Sequence, residues 1–376
     1  MRKANIIHIR SLLIFLTVFS YHSSLFAQIR IYSNEFLNIG AGARGLSMGG
    51  AQIASVKDAT AGYWNPAGLT HIKENPSISL MHAEYFAGIG KYDFGSIAIP
   101  VADKKRTIGL SVLRFAVDDI PNTLYLIEPD GSINYANISS FSSADWAFIL
   151  SAAQIIEQQK NKTLSVGINA KVIHRNVGTF AKAWGFGVDL GMQYIAKNWS
   201  LALMARDITT TFNTWNFTFT DREKEVLFLT NNRIPEQSTE MTAPRLIIGG
   251  TYDFNISKNI KLKAELNLDF TFDGQRNTVL SSSMISGDPR VGIEGSLKDL
   301  FFVRAGIYNF QRTFADGDTL NQKKVWIYQP GLGAGFVLGK SLHIDYAFTN
   351  LANQSSPLYT HIISLRLDLI KRIGRK

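Results

Sequence analysis

The sequence predicts an all-β protein: a transmembrane, antiparallel β-barrel of about 14 strands with an N-terminal plug segment inside it. Three observations carry this expectation. Apolar and polar residues alternate over segments of roughly 9–13 residues, the length at which a tilted strand crosses a bilayer. The connections between these segments alternate short and long, as periplasmic turns and extracellular loops do. After residue 27 no uncharged apolar run is long enough to cross as a helix.

The N-terminus comes first. Arg2, Lys3 and Arg10 precede the apolar run Leu12 to Phe19, and Ser23-Ser24-Leu25-Phe26-Ala27 follows. This is the layout of a cleavable signal peptide, residues 1–27, with cleavage after Ala27. The chain of 376 residues has no cysteine, which rules out disulfides, thiol catalysis and a lipid-anchored N-terminal cysteine. Only 18% of residues are charged, and the net charge of +9 is not gathered into a tail, so no nucleic-acid partner is expected.

Residues 28–75 follow as a second region. It opens with NIGAGARG (38–45), whose Gly40, Gly42 and Gly45 spell a G-x-G-x-x-G. A dinucleotide site would need a strand before this motif, a crossover helix after it and an acidic residue on a second strand. None follows, so the glycines are read as serving close backbone packing. Ser55 to Ala61 is expected to form a short helix, ended by the turn Asn65-Pro66-Ala67-Gly68, with Gly68 suited to positive φ. Gly40, Gly42, Gly45, Asn65, Pro66 and Gly68 are the expected plug-packing residues.

The barrel is expected over residues 76–376, with strands starting near 76, 89, 106, 141, 162, 181, 198, 243, 259, 289, 300, 325, 341 and 358. Ile260 to Phe270 alternates without a break, and Trp184 to Tyr194 sets Trp184, Phe186, Val188, Leu190 and Met192 against Gly185, Gly187, Asp189, Gly191 and Gln193. Short links fall at 103–105, 158–161, 196–198, 255–258, 298–299 and 339–340. The longest loops are 118–140 and 207–242. The first hairpin, at Ala87-Gly88, breaks the rule by being short on the long-loop side. Aromatic residues gather near strand ends, as in the girdles at both membrane interfaces.

The stretch Gly40-Ala41-Gly42-Ala43-Arg44-Gly45-Leu46-Ser47-Met48-Gly49-Gly50-Ala51, with Asp58-Ala59 and Trp64-Asn65-Pro66-Ala67-Gly68-Leu69, resembles the N-terminal segment of the PorV/PorQ family. Asp119 to Thr123, Phe141 to Ala147 and Ala183 to Gly191 fit the same family. That family belongs with the FadL-like fourteen-stranded outer-membrane proteins of the Bacteroidota. PorV proper has Ala-Lys after its Asn-Pro, where this chain has Ala67-Gly68-Leu69, so it resembles a PorV-like paralogue. The resemblance implies outer-membrane localisation and a non-enzymatic part in type IX secretion, binding or shuttling secreted cargo. The implied partners are outer-membrane lipid, translocon or attachment components and cargo domains. FadL relatives imply the alternative, a transporter of hydrophobic small molecules.

No catalytic, cofactor-binding or metal residues are expected. The histidines form no metal-binding motif, and no G-x-S-x-G is present. Asp130-Gly131 and Asp316-Gly317-Asp318 lack the calcium-loop spacing and read as hairpin turns. Lumen-facing positions mix signs, among them Lys171, Asp189, Glu265, Asp269, Arg304, Asp345 and Arg366. Such mixing suits ion pairing around a plug better than a selective pore. Phe212, Trp215, Phe217 and Phe219 form the candidate partner-binding loop, since exposed aromatics are costly without something to meet.

Overall fold

The computed structural model describes residues 33–128, 130–234, 238–314, 324–339, 341–350 and 359–369. The expected signal peptide and the Asp316-Gly317-Asp318 turn lie outside these residues. Strands β1 (Ser77–Tyr85), β2 (Gly90–Pro100), β3 (Arg106–Asn122), β4 (Ser139–Gln159), β5 (Lys162–Val177) and β6 (Ala181–Ile195) run up and down as antiparallel neighbours. β7 (Trp199–Arg206) pairs with the lower half of β6 and β8 (Thr211–Phe217) with its upper half, so the two are pieces of one wall position. β9 (Ser238–Thr242) and β10 (Arg245–Asn255) divide the next position in the same way. The wall continues through β11 (Ile260–Thr271), a two-residue β12 (Leu280–Ser281), β13 (Ser286–Leu297), β14 (Phe301–Phe314), β15 (Lys324–Leu338), β16 (Leu342–Thr349) and β17 (Thr360–Asp368). β17 pairs with β1 from Ser77 opposite Asp368 to Glu84 opposite His361, closing a fourteen-stranded antiparallel barrel. Closure leaves neither the first nor the last strand with an open edge.

The alternation read from the sequence sets which side each residue takes. Phe186 is 63% exposed on the outer face of β6 while Asp189 is 3% exposed on the inner one. Leu201, Leu266, Val303 and Leu332 likewise face out, and Lys171, Glu265, Asn267 and Arg304 face in and are buried.

Two local expectations differ from the structure. The segment 207–242 is not all loop: β8 and β9 extend the wall, and the helix α3 (Asp221–Leu229) stands between them. The aromatics at 212, 215, 217 and 219 do not keep a period of two, which hid the strand. Ser55 to Ala61 is not a helix either. The Asp58 carboxylate accepts from the Thr60 N–H at 2.9 Å and its hydroxyl at 2.5 Å, and this local capture turns the chain. The helical pieces are α1 (Ala43–Ser47) and α2 (Ala61–Trp64), followed by a 3-10 turn over Pro66–His71.

Candidate functional site

Residues 33–72 make their contacts with inward-facing residues from strands all round the ring. The Ala43 N–H donates to Ser364 on β17, and the Ala54 N–H donates to Glu265 on β11. Asn169 on β5 donates to the Gly62 carbonyl, and Asn213 on β8 donates to Ser33 and Asn34. The segment has its own small core: Trp64 Nε1 donates to the Ala41 carbonyl at 2.7 Å, and the Tyr63 hydroxyl to the Leu37 carbonyl at 2.6 Å. Arg206 lies over the Tyr63 ring at 4.8 Å.

Close approach between segment and wall depends on glycines in the wall itself. Gly292, Gly306 and Gly331 stand side by side on β13, β14 and β15. A β-carbon on Gly306 would lie 2.0 Å from the Met48 carbonyl carbon and 2.3 Å from the Gly49 nitrogen. β-Carbons on Gly292 and Gly331 would lie 2.7 and 2.8 Å from the Met48 and Leu46 carbonyl oxygens. A second shelf, Gly167 beside Gly191 on β5 and β6, receives Asn65 and Pro66. The strand alternation had placed Gly191 on the inner face, and that was the signal for these sites.

The residues singled out in the sequence fall as follows. Gly40 and Gly42 have φ of 118° and 82°, and the missing β-carbons of Gly40 and Gly45 face Leu46, Gln52 and Trp64 of the same segment. They fold the segment on itself, while the wall glycines seat it. Asn65 is fully buried; its amide donates to the Ile53 carbonyl at 3.2 Å and the Met192 carbonyl at 3.1 Å, and its carbonyl accepts from Ala67. Pro66 opens the 3-10 turn, where its missing N–H costs nothing. Gly68 has ordinary φ; a β-carbon there would meet the Val56 carbonyl at 2.6 Å, so close approach rather than positive φ requires it.

Charges complete the docking. Arg44 Nε lies 2.8 Å from Glu294, which Arg304 also reaches at 2.6 Å, and Arg304 continues to Asp345 at 2.6 Å. Asp58 pairs with Arg366 at 3.0 Å; burial pushes its carboxyl up, and Arg366 with Thr60 outweighs burial and holds it below the usual range. Burial and nearby Lys57 push His71 down to about 4.

On the long-loop side of the segment lies a cavity of about 630 Å³. Its walls include Ile39, Leu46, Tyr85, Phe115 and Tyr308, with Asp288 and Arg290 on one flank. Beside that flank the wall comes apart. β13 and β14 pair only from Leu297–Phe301 up to Val291–Ile307. Above this, Tyr308–Phe314 pairs with β15 across a bulge, and Asn277 from the β11–β12 connection bonds the Arg312 backbone in place of a strand. Pro289, with no N–H to give, and Asn309, at φ 54°, mark the break.

The four loop aromatics do not share a face. Phe212 points outward at 46% exposure, whereas Trp215 is 7% exposed with Arg175 over its ring at 5.0 Å. Phe217 stacks between Trp215 and Phe219, and Phe219 reaches Phe180. The exposed apolar residues lie farther out, Phe228 at 75% and Leu229 at 73% on α3. Glu223 on α3 accepts from the Tyr125 hydroxyl, and Arg222 covers the Tyr125 ring, tying α3 to the β3–β4 loop.

No family model matches the chain, and no curated protein matches it. Among solved structures, the toluene transporter TbuX of Ralstonia pickettii is similar at 13% identity and TM-score 0.51, covering 88% of this chain and 99% of that one. The P. putida toluene transporter TodX gives 12% and 0.51 over the same shares, and the monoaromatic hydrocarbon channel CymD gives 12% and 0.50, covering 88% and 98%. At this identity the likeness is one of fold, and the fold is a closed, FadL-like fourteen-stranded β-barrel.

Proposed function

We propose that the chain is an outer-membrane channel for small hydrophobic molecules, which enter the long-loop-side cavity and leave sideways where β13 and β14 part. The observation that carries this reading is a cavity lying against a break in the wall, where Tyr85, Phe86, Phe115 and Tyr308 face it beside Glu35, Asp145, Arg175, Asp288 and Arg290. Its size falls in the range of small-molecule sites. Below it, segment 33–72 acts as the plug that bars straight passage. The similar folds of a toluene transporter and a monoaromatic hydrocarbon channel support the reading. The test is uptake of labelled toluene by cells making the full-length protein or its Phe115→Glu variant. A charge set among the aromatic residues, away from the Asp288 and Arg290 flank, should cut uptake about tenfold with barrel levels unchanged; equal uptake by both would sink the proposal.

A second reading has its own observation, the apolar tip of α3 beside the β3–β4 loop. With the resemblance of residues 40–69 to the PorV/PorQ family, it supports a partner or cargo site for type IX secretion. The test replaces residues 220–234 with a glycine-serine linker and leaves the wall strand β8 whole. Insertion should survive while recovery of secreted proteins falls, and full recovery of all of them would end this reading.

A further inference from the structure

The wall formed by β1, β2 and β3 reverses the usual polarity in its upper half. Its inner face is apolar: Met81, Tyr85, Tyr92, Phe94 and Leu113 are buried there, with Phe94 against Tyr63 of the N-terminal segment. Its outer face carries His82, Glu84, Lys91, Asp93, Arg114 and Asp118. Their side chains are 53%, 51%, 45%, 41%, 30% and 35% exposed, in that order. His82 Nδ1 lies 2.7 Å from Asp93, Arg114 3.3 Å from Asp93, and Lys91 2.8 Å from Asp118. His82, Asp93, Arg114 and Trp146 are successive partners in one row of the ladder.

These charges do not stand clear of the membrane. Arg114 lies six residues up β3 from the outward Ile108, about 15 Å along the membrane normal for a strand tilted by ~40°. The lipid-facing apolar band of such barrels is about 25 Å tall. On β6 the outward residues stay apolar from Tyr194 through Met192, Leu190, Val188 and Phe186 to Trp184. On β2 they stop after Ile99, Ile97 and Gly95. β1 and β2 join above the patch through the short turn at Phe86–Ile89. Ionised groups on a lipid face are costly, and those that persist face something other than lipid.

We propose that this patch is the contact between two copies of this chain related by a two-fold axis. A two-fold contact joins the same surface to itself, so that surface must complement itself. Three groups that carry or accept positive charge, His82, Lys91 and Arg114, are interleaved with three carboxylates, Glu84, Asp93 and Asp118. A two-fold axis along the membrane normal that passes between β1 and β2 sets His82 of one copy against Asp93 of the other. A patch of one sign would suit lipid phosphates or a partner of opposite charge.

The chain has no cysteine, which makes single-cysteine cross-linking unambiguous. In oxidised native outer membranes, His82→Cys should give a linked species of twice the chain mass, and Phe186→Cys on another stretch of the outer wall should not. The unmodified protein in lipid nanodiscs should weigh as a dimer. Glu84→Lys should lower the dimer fraction about tenfold, and adding Lys91→Glu should restore it. A monomeric unmodified protein with no His82→Cys link overturns the proposal. Linkage of His82→Cys to a different protein overturns it too, assigning the patch to that partner.

Discussion

Replacing Gly306 with valine tests how the N-terminal segment is seated. The β-carbon would fall 2.0 Å from the Met48 carbonyl carbon, where carbon atoms prefer about 3.5–4.0 Å. The obstructing atoms are backbone, so no side-chain rotation relieves the clash; the Leu46–Gly49 stretch must shift by more than about 1.5 Å or leave its shelf. Overpacking of this kind costs about 1–3 kcal/mol, which divides the ratio of seated to unseated segment by roughly 5 to 150. The barrel keeps its hydrogen bonds, because Gly306 pairs through its backbone with Gly292 and Gly331 whatever its side chain. The assays are single-channel conductance in planar bilayers and sensitivity of cells to a large antibiotic. The variant should show frequent open events and new sensitivity. Gly295→Ala on neighbouring β13, where the added carbon meets nothing nearer than 3.9 Å, should behave as the parent. A Gly306→Val protein as closed and as resistant as the parent would refute the reasoning.

Three further outcomes are expected. Asn65→Ala strips partners from the Ile53 and Met192 carbonyls and should cost about 1–3 kcal/mol, read as faster amide exchange across residues 43–70 with the strands unchanged. Glu294→Ala leaves Arg44 and Arg304 facing each other without their shared carboxylate and should cost about 3–5 kcal/mol in denaturant midpoint. Arg44→Ala should cost less, because Glu294 keeps Arg304, and equal losses would contradict the arrangement. Seating should weaken with acid: His71 is pushed down to about 4 when buried, against about 6.5 when free. Below pH 6.5 the displaced segment takes up a proton that the seated one refuses. Up to about 3 kcal/mol is therefore lost by pH 4. His71→Gln should flatten the pH dependence of amide exchange between these limits, and an unchanged slope would assign the effect elsewhere.

Strand starts were legible because one physical rule governs them: lipid on one side and polar interior on the other force a period of two. β1 at Ser77, β6 at Ala181 and β11 at Ile260 lie within a residue of the positions read from the pattern. Where a segment obeys another rule the pattern fails. β8 faces loops as well as lipid, so Trp215 and Phe217 pack inward above the band and the aromatic spacing misleads. The seating of the segment was half visible: Gly40, Gly42 and Gly45 stood out as a motif, yet they bend the segment, while the shelf of Gly292, Gly306 and Gly331 is spread over three strands and becomes a surface only in register. The cavity and the break beside it depend on which rungs of the ladder are missing. Pro289 and Asn309 were their only local signs.

The docking contacts of the N-terminal segment also constrain the order of assembly. Ala43 bonds a serine 321 positions later, and Arg44 a glutamate 250 positions later. Chain closure over such separations is slow. The segment is the first part of the described chain to be made and among the last to find its partners. Until β13 and β14 are in place, Met48, fully buried in the finished barrel, has no shelf to cover it. A holding chaperone is therefore most needed for the forty residues that the barrel wall surrounds.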